Sequence, residues 1–260
     1  MNLYTKLGLS FSAFIILTTG GLACSQTSPS EIAGESSEEA STATLTPASA
    51  DPDLAYLLIS GWHKDSVVYE EYVKEVGPLI KSHGMSAQAL GIPGVNMTVL
   101  EGSWTPRALS LLEFPSEKAV KGFWNSDAYQ NDVKPIRHGY SALDVLQLDG
   151  IAGQKTMIDE QSALLIFLVN MEDLDTFLKD YAPHAPKVVE RYGGKFLVRT
   201  SRKDTEVLEG EVHSESLVIL GFPTTKALKG FWGDADYQAL SKIRKATGKW
   251  SVIEILPISR

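Results

Sequence analysis

The sequence predicts an α+β fold: two tandem copies of a ferredoxin-like βαββαβ unit, packed sheet to sheet within one chain. Three observations predict it. The 260-residue chain repeats itself at an offset of about a hundred residues. Each copy alternates strand-length apolar runs with stretches of helical periodicity. The strands are apolar on both faces, so both faces need cover.

The repeat is read directly from the residues. Val99-Leu100-Glu101-Gly102 returns as Val207-Leu208-Glu209-Gly210, Phe114-Pro115 as Phe222-Pro223, and Lys121-Gly122-Phe123-Trp124 as Lys229-Gly230-Phe231-Trp232, all at an offset of 108. Tyr129-Gln130 matches Tyr237-Gln238 at the same offset, and Ile136-Arg137 matches Ile243-Arg244 after a one-residue deletion.

In the first copy, residues 55–60 form an apolar strand. Asp65 is placed to cap a helix on which Val68, Tyr72, Val76 and Leu79 recur at helical spacing. Pro78 should kink that helix because it offers no N–H, and Gly84 stops it. Short strands follow at 87–90 and 97–100, then a longer one at 107–114. Ser116 and Ser126 are caps for two short helices, the first carrying Val120, Phe123 and Trp124, and a strand at 143–148 closes the unit. The second copy has its first strand at 163–169 and its last at 250–256. Between them lies a helix carrying Leu174, Phe177, Leu178, Tyr181, Val188 and Tyr192. This is the split β-α-β order of ferredoxin-like folds. Helices cover one face of each sheet, and the simplest cover for the other is the second copy's bare face.

The ends of the chain speak to destination. Lys6, the apolar run 7–17 and small residues up to Ala23 make residues 1–23 a secretory signal, too short in its apolar part to span a bilayer. Gly21-Leu22-Ala23-Cys24 resembles a bacterial lipobox, with Gly21 where Leu is usual, so Cys24, the single cysteine, is the expected lipidation site. Ser25 after it favours, by analogy, the outer membrane of a Gram-negative cell envelope. Residues 24–53 are a Ser, Thr, Pro and Glu tether with six acids and no Lys or Arg, a composition that builds no core. The repeats occupy 54–150 and 162–260, joined by a linker at 151–161. Residues 54–260 hold 23 basic and 26 acidic side chains, a balance that excludes a nucleic-acid partner. The only membrane contact expected is through the Cys24 lipid.

The motifs of both copies resemble the bacterial domain of unknown function numbered 1330. Carrying the resemblance in copy one are Glu71-Tyr72, His83-Gly84, the Val99 to Gly102 run, Trp104-Thr105-Pro106-Arg107, Glu113-Phe114-Pro115-Ser116, and Phe123-Trp124 through Ser126 to Tyr129-Gln130. Copy two keeps Tyr181, Tyr192-Gly193-Gly194, Phe222-Pro223 and Tyr237-Gln238. It has Val212-His213-Ser214-Glu215 for the Trp-Thr-Pro-Arg stretch and Gly221 for Glu113. The resemblance implies a dimeric α/β barrel, closed here as an intramolecular pseudo-dimer in a monomeric chain. By fold, that broad group also contains monooxygenases acting on aromatic polyketides, lactone isomerases and haem-binding enzymes, a kinship that assigns no reaction.

Six residues are the candidate ligand-binding set. Arg107 and Glu113 share parity with Leu109 and Leu111, which puts a polar group at each end of an apolar strand face. The plain alternative is that each is solvated or bonded to backbone at a strand end. His83 can bond the free carbonyls of a helix end, or serve as acid, base or ligand. Tyr72, Trp124 and Tyr129 fall on helices at positions echoed by Tyr181, Trp232 and Tyr237, so they either pack or wall a cavity. Glu101 and Glu209 end strands before Gly turns and are expected in solvent. The histidines lack zinc-ligand spacing, so no metal is expected, and no phosphate-cradling loop, nucleotide fingerprint or nucleophile motif calls for a cofactor. Three readings stay open: a fused barrel binding a small, largely apolar molecule, a cofactor-free monooxygenase or isomerase, and a tethered protein-interaction module.

Overall fold

The computed structural model describes residues 53–154, 158–159 and 161–258. The expected leader, Cys24, all of the tether except Asp53, and linker residues 155–157 and 160 lie outside the described residues. No helix among the described residues is long and apolar enough to cross a membrane.

Copy one runs β1 (Ala55–His63), α1 (Ser66–Ser82), β2 (Ala87–Gly91), β3 (Met97–Glu101), β4 (Ala108–Phe114), α2 (Glu117–Trp124) and β5 (Ser141–Asp149). Asp65 caps α1, its side chain accepting from the Val67 and Val68 backbone. Gly84 ends it at φ 93°, a conformation that suits glycine, while the Met85 N–H reaches back to the Ile80 carbonyl. The helix continues through Pro78 to Ser82. Ser116 caps α2 through the Ala119 N–H. After Ser126 the chain makes a π turn (Ala128–Val133) and a 3-10 turn (Lys134–Arg137) instead of the regular helix expected there.

Copy two runs β6 (Ala163–Met171), the single turn α3 (Leu174–Thr176), a π turn (Phe177–Tyr181), α4 (Ala185–Arg191), β7 (Lys195–Ser201), β8 (Glu206–Glu209), β9 (Ser216–Phe222), α5 (Thr225–Gly233), α6 (Ala235–Ala246) and β10 (Gly248–Ile255). The single helix expected after β6 is thus broken into three pieces. Pro183 accounts for the gap before α4, since its missing N–H interrupts the i to i−4 ladder, and Pro186 falls in the first turn of α4, where no N–H is needed.

Two five-stranded antiparallel sheets form, in the orders β2-β4-β1-β5-β8 and β3-β10-β6-β9-β7. The four ferredoxin-like strands of each copy stay together, and the fifth crosses over. Strand β8 of copy two pairs with β5, Glu209 opposite Val145, and β3 of copy one pairs with β10, Glu101 opposite Val252. The sheets pack face to face, with Leu58, Leu109, Leu111, Leu146 and Leu148 in one core with Leu164, Ile166, Leu217, Ile219, Ile253 and Ile255. Each such side chain contributes roughly 1.5–3 kcal/mol when fully buried. The fold is therefore the intramolecular dimeric α/β barrel, with exchanged edge strands that the sequence pattern does not announce.

Candidate functional site

Two polar regions stand out, one at the mouth between the sheets and one on the helical side of each copy. At the mouth, Arg107 sits in the loop entering β4, and its Nη1 donates to Asp144 Oδ2 of β5 at 2.8 Å. The same carboxylate accepts from the Glu211 backbone N–H at 3.0 Å and lies 3.2 Å from His213 Nε2. Asp144 thereby ties the β8–β9 loop of copy two to the sheet of copy one. Beneath this rim, Trp104 and Val212 pack onto the inter-sheet core. The recess is about 40 Å³, floored by Leu58, Leu109 and Leu146 and their repeat counterparts Ile166, Leu217 and Ile253.

Glu113 points into the same inter-sheet space but does not share this site. Leu109 and Leu111, 3% and 0% exposed, fill the strand face between it and Arg107. Fully buried, its carboxylate accepts from the Ser86 hydroxyl at 3.0 Å and the Tyr56 hydroxyl at 3.3 Å. Burial first, and Glu113 second, push the Tyr56 phenol up. In copy two, Gly221 takes this place because Leu197 closes over it, its Cδ1 being 3.1 Å from where a Cβ would stand. His83 lies elsewhere, at the end of α1, where its Nδ1 bonds the Leu79 carbonyl at 2.8 Å and its ring meets the edge of Phe123.

On the helical side, Tyr72, Trp124 and Tyr129 come together. The two tyrosine hydroxyls are 3.3 Å apart and the Trp124 and Tyr129 rings 5.1 Å. What fills the space among them is Arg137, 2% exposed. Its Nη1 and Nη2 each donate to Glu209 at 2.7 Å, and Nη2 reaches the Tyr129 hydroxyl at 3.2 Å. Lys134 adds a contact to Glu209 at 3.3 Å and lies over the Trp124 ring. Burial alone would raise the Glu209 carboxyl, but Arg137 and Lys134 hold it below its ordinary range. His63, with Nδ1 2.5 Å from the Ser141 hydroxyl and its ring 4.1 Å from Tyr69, is pushed down to about 4 by burial and then by Arg137.

Copy two mirrors this arrangement. Arg244, fully buried, donates from Nη2 to Glu101 at 2.6 Å, and Lys245 holds the other carboxylate oxygen at 2.8 Å. Each copy's arginine therefore binds the glutamate on the strand lent by the other copy. The expectation that Glu101 and Glu209 lie in solvent is corrected: their side chains are only 14% and 26% exposed because each is drawn against a buried guanidinium. Sequence reasoning did not single out Arg137, Arg244, Asp144 or His213. For the arginines the signal was present, since Ile-Arg and Leu-Glu-Gly both repeat.

The profile of the family described as "Domain of unknown function (DUF1330)" matches residues 54–151 and 162–256. The chain belongs to that family. Both DUF1330 segments coincide with the two structural copies. A search of the curated proteins gave no match. Among solved structures, the DUF1330 pair is similar to a provisionally assigned monooxygenase from Lactobacillus acidophilus NCFM, at TM-score 0.49 and 8% identity over 80% of this chain and 95% of that one. It is similar to a haem-binding protein from Thermus thermophilus at TM-score 0.44 and 9% identity, over 78% and 91%. A mutant chlorite dismutase from Candidatus Nitrospira defluvii gives TM-score 0.46 and 8% identity, over 79% and 92%. Those activities are the neighbours' own.

Proposed function

We propose that the fused pair binds a small, largely apolar molecule with one polar end at the mouth between its sheets. One observation carries the reading. The floor of the recess is built from residues equivalent in the two copies, whereas its polar rim is built where the copies differ. Ser60, Arg107, Asp144 and His213 stand where the other copy has Leu168, Glu215, Ser251 and Thr105. An apolar floor with a few convergent polar groups is the usual make-up of a ligand site. The recess as it stands has room for water alone, so a ligand enters by displacing the partly exposed Trp104 side chain. The tethered interaction module draws no support from the mouth.

Native mass spectrometry of the full chain, purified from the periplasm, tests this reading. A retained small molecule that is lost in Arg107→Ala and Asp144→Asn proteins supports it, and a molecule retained equally by both variants refutes the mouth as its site. We further propose that the protein is held at the cell envelope through Cys24. The leader ending at Ala23 supports this, and Cys24→Ser protein that stays in the membrane fraction would refute it.

A further inference from the structure

We propose that the molecule taken at the mouth is an organic cation, an apolar body ending in a primary ammonium group that Ser214 and Glu211 receive. The proposal rests on the mouth reading above and adds the sign of the ligand's polar end. Besides its aliphatic floor and Trp104, the recess is lined by five polar residues, Ser60, Asp144, Glu211, His213 and Ser214, and by no lysine or arginine. Two of the five are already engaged. Asp144 accepts from Arg107 and from the Glu211 backbone N–H, and His213 turns its Nε2 to the same carboxylate. The hydroxyls of Ser60 and Ser214 and the carboxylate of Glu211 have no hydrogen-bond or ion-pair partner among the described residues. Ser214 is only 7% exposed, so its hydroxyl borders the recess while being shut away from bulk water. A polar group so placed is costly unless something in the recess bonds to it.

The groups left open decide the sign. Asp144 is matched by Arg107 at 2.8 Å, whereas Glu211 has no cation beside it among the described residues, which leaves the lining with a negative excess. A serine hydroxyl accepts as well as donates, so Ser60, Ser214 and Glu211 together offer acceptors to the N–H bonds of an ammonium group. An anion would face the Glu211 carboxylate, and an alcohol would make no charge-assisted bond to it. An indole face, here that of Trp104, likewise attracts a cation. The three open groups lie on one side of the recess, because Ser60 stands opposite Asp144 in the β1–β5 register and Asp144 holds the segment that carries Glu211 and Ser214. The other side has Leu168, Ser103 and Pro106 in the equivalent positions. A floor that is symmetric thus has its acceptors on one side only, which gives the ligand's polar end a single direction.

Calorimetric titration of the full chain at pH 7 with hexylammonium chloride, sodium hexanoate and 1-hexanol, probes that share one kind of apolar body, tests the proposal. Saturable binding of hexylammonium is expected, weakened about tenfold in Ser214→Ala, which removes one hydrogen bond to a charged group. A loss of about threefold is expected in Glu211→Gln, smaller because that side chain is exposed. Both variants should fold, since the Ser214 hydroxyl holds nothing in the protein and Glu211 meets Asp144 through its backbone N–H. Hexanoate or hexanol binding as tightly as hexylammonium would overturn the charge assignment. Hexylammonium binding that is absent, or unchanged in either variant, would overturn the site. The mouth reading fails by a different result, a retained molecule indifferent to Arg107→Ala and Asp144→Asn, so the two failures are told apart.

Discussion

The two arginine clusters descend from one sequence pattern and do different amounts of bonding. Arg137 grips Glu209 with both Nη atoms at 2.7 Å and shares a tyrosine hydroxyl, whereas Arg244 reaches Glu101 through Nη2 alone and leaves two donors free. In copy one, Lys134 joins from the turn before the arginine. In copy two, Lys245 joins from the residue after it and takes the carboxylate oxygen that Arg244 does not use. A duplicated strand exchange thus became a two-point latch on one side and a one-point latch on the other. The same division appears at the mouth, where the packed floor kept its symmetry and the polar rim lost it.

The sharpest way to break this comparison is to remove each arginine. Arg137→Ala takes two 2.7 Å bonds from Glu209 and leaves it only the longer Lys134 contact at 3.3 Å, and should cost up to about 3 kcal/mol in urea unfolding of the full chain. Arg244→Ala should cost measurably less, because Glu101 loses one bond where Glu209 loses two, and keeps a closer lysine, Lys245 at 2.8 Å. Equal losses would show that the bidentate geometry does not matter.

A smaller effect is expected at the strand ends, where the two copies should behave alike. Gly102 and Gly210 have φ of 83° and 73°, and a Cβ at either would collide with backbone of the opposite copy's closing strand, Trp250 O for one and Leu143 O for the other. Alanine at either position should cost at least about 1–2 kcal/mol for the left-handed backbone alone. A clear difference between them in thermal unfolding would mean that the two exchanges are not equivalent in backbone.

A further effect sharpens the asymmetry through pH. His63, which has Met171 as its counterpart, is held neutral beside Arg137, with its folded value lowered to about 4 from the usual 6.5. Its contribution to stability is complete above pH 6.5 and is lost as pH falls from there towards 4, because the unfolded chain takes up the proton first. Urea midpoints measured across that window should decline more steeply for the wild type than for His63→Met. Parallel curves would remove His63 from the latch.

Much of the local structure was legible in the residues. Asp65 and Ser116 cap where their side chains predict, Gly84 stops α1, and the two-sided apolar strands report that both sheet faces are covered. The break before α4 was written in Pro183, but Leu174, Phe177 and Tyr181 mimic a continuous helical stripe. The candidate site was less legible. Tyr72, Trp124 and Tyr129 were found by their spacing, but Arg137 meets a partner 72 residues away, and Arg107 meets Asp144 on a strand it does not neighbour in sequence.

By itself the sequence determined the duplicated unit, its strands, caps and turns, and the need for a shared core, because these follow from periodicity, local hydrogen bonding and the apolar content of each strand. Only the tertiary structure decided that β3 and β8 change sheets. Each carries the same Leu-Glu-Gly ending, so local pattern cannot choose between two nearly equivalent edges. The choice is made where a buried guanidinium of the other copy needs a carboxylate, and that need exists only once the two sheets have met.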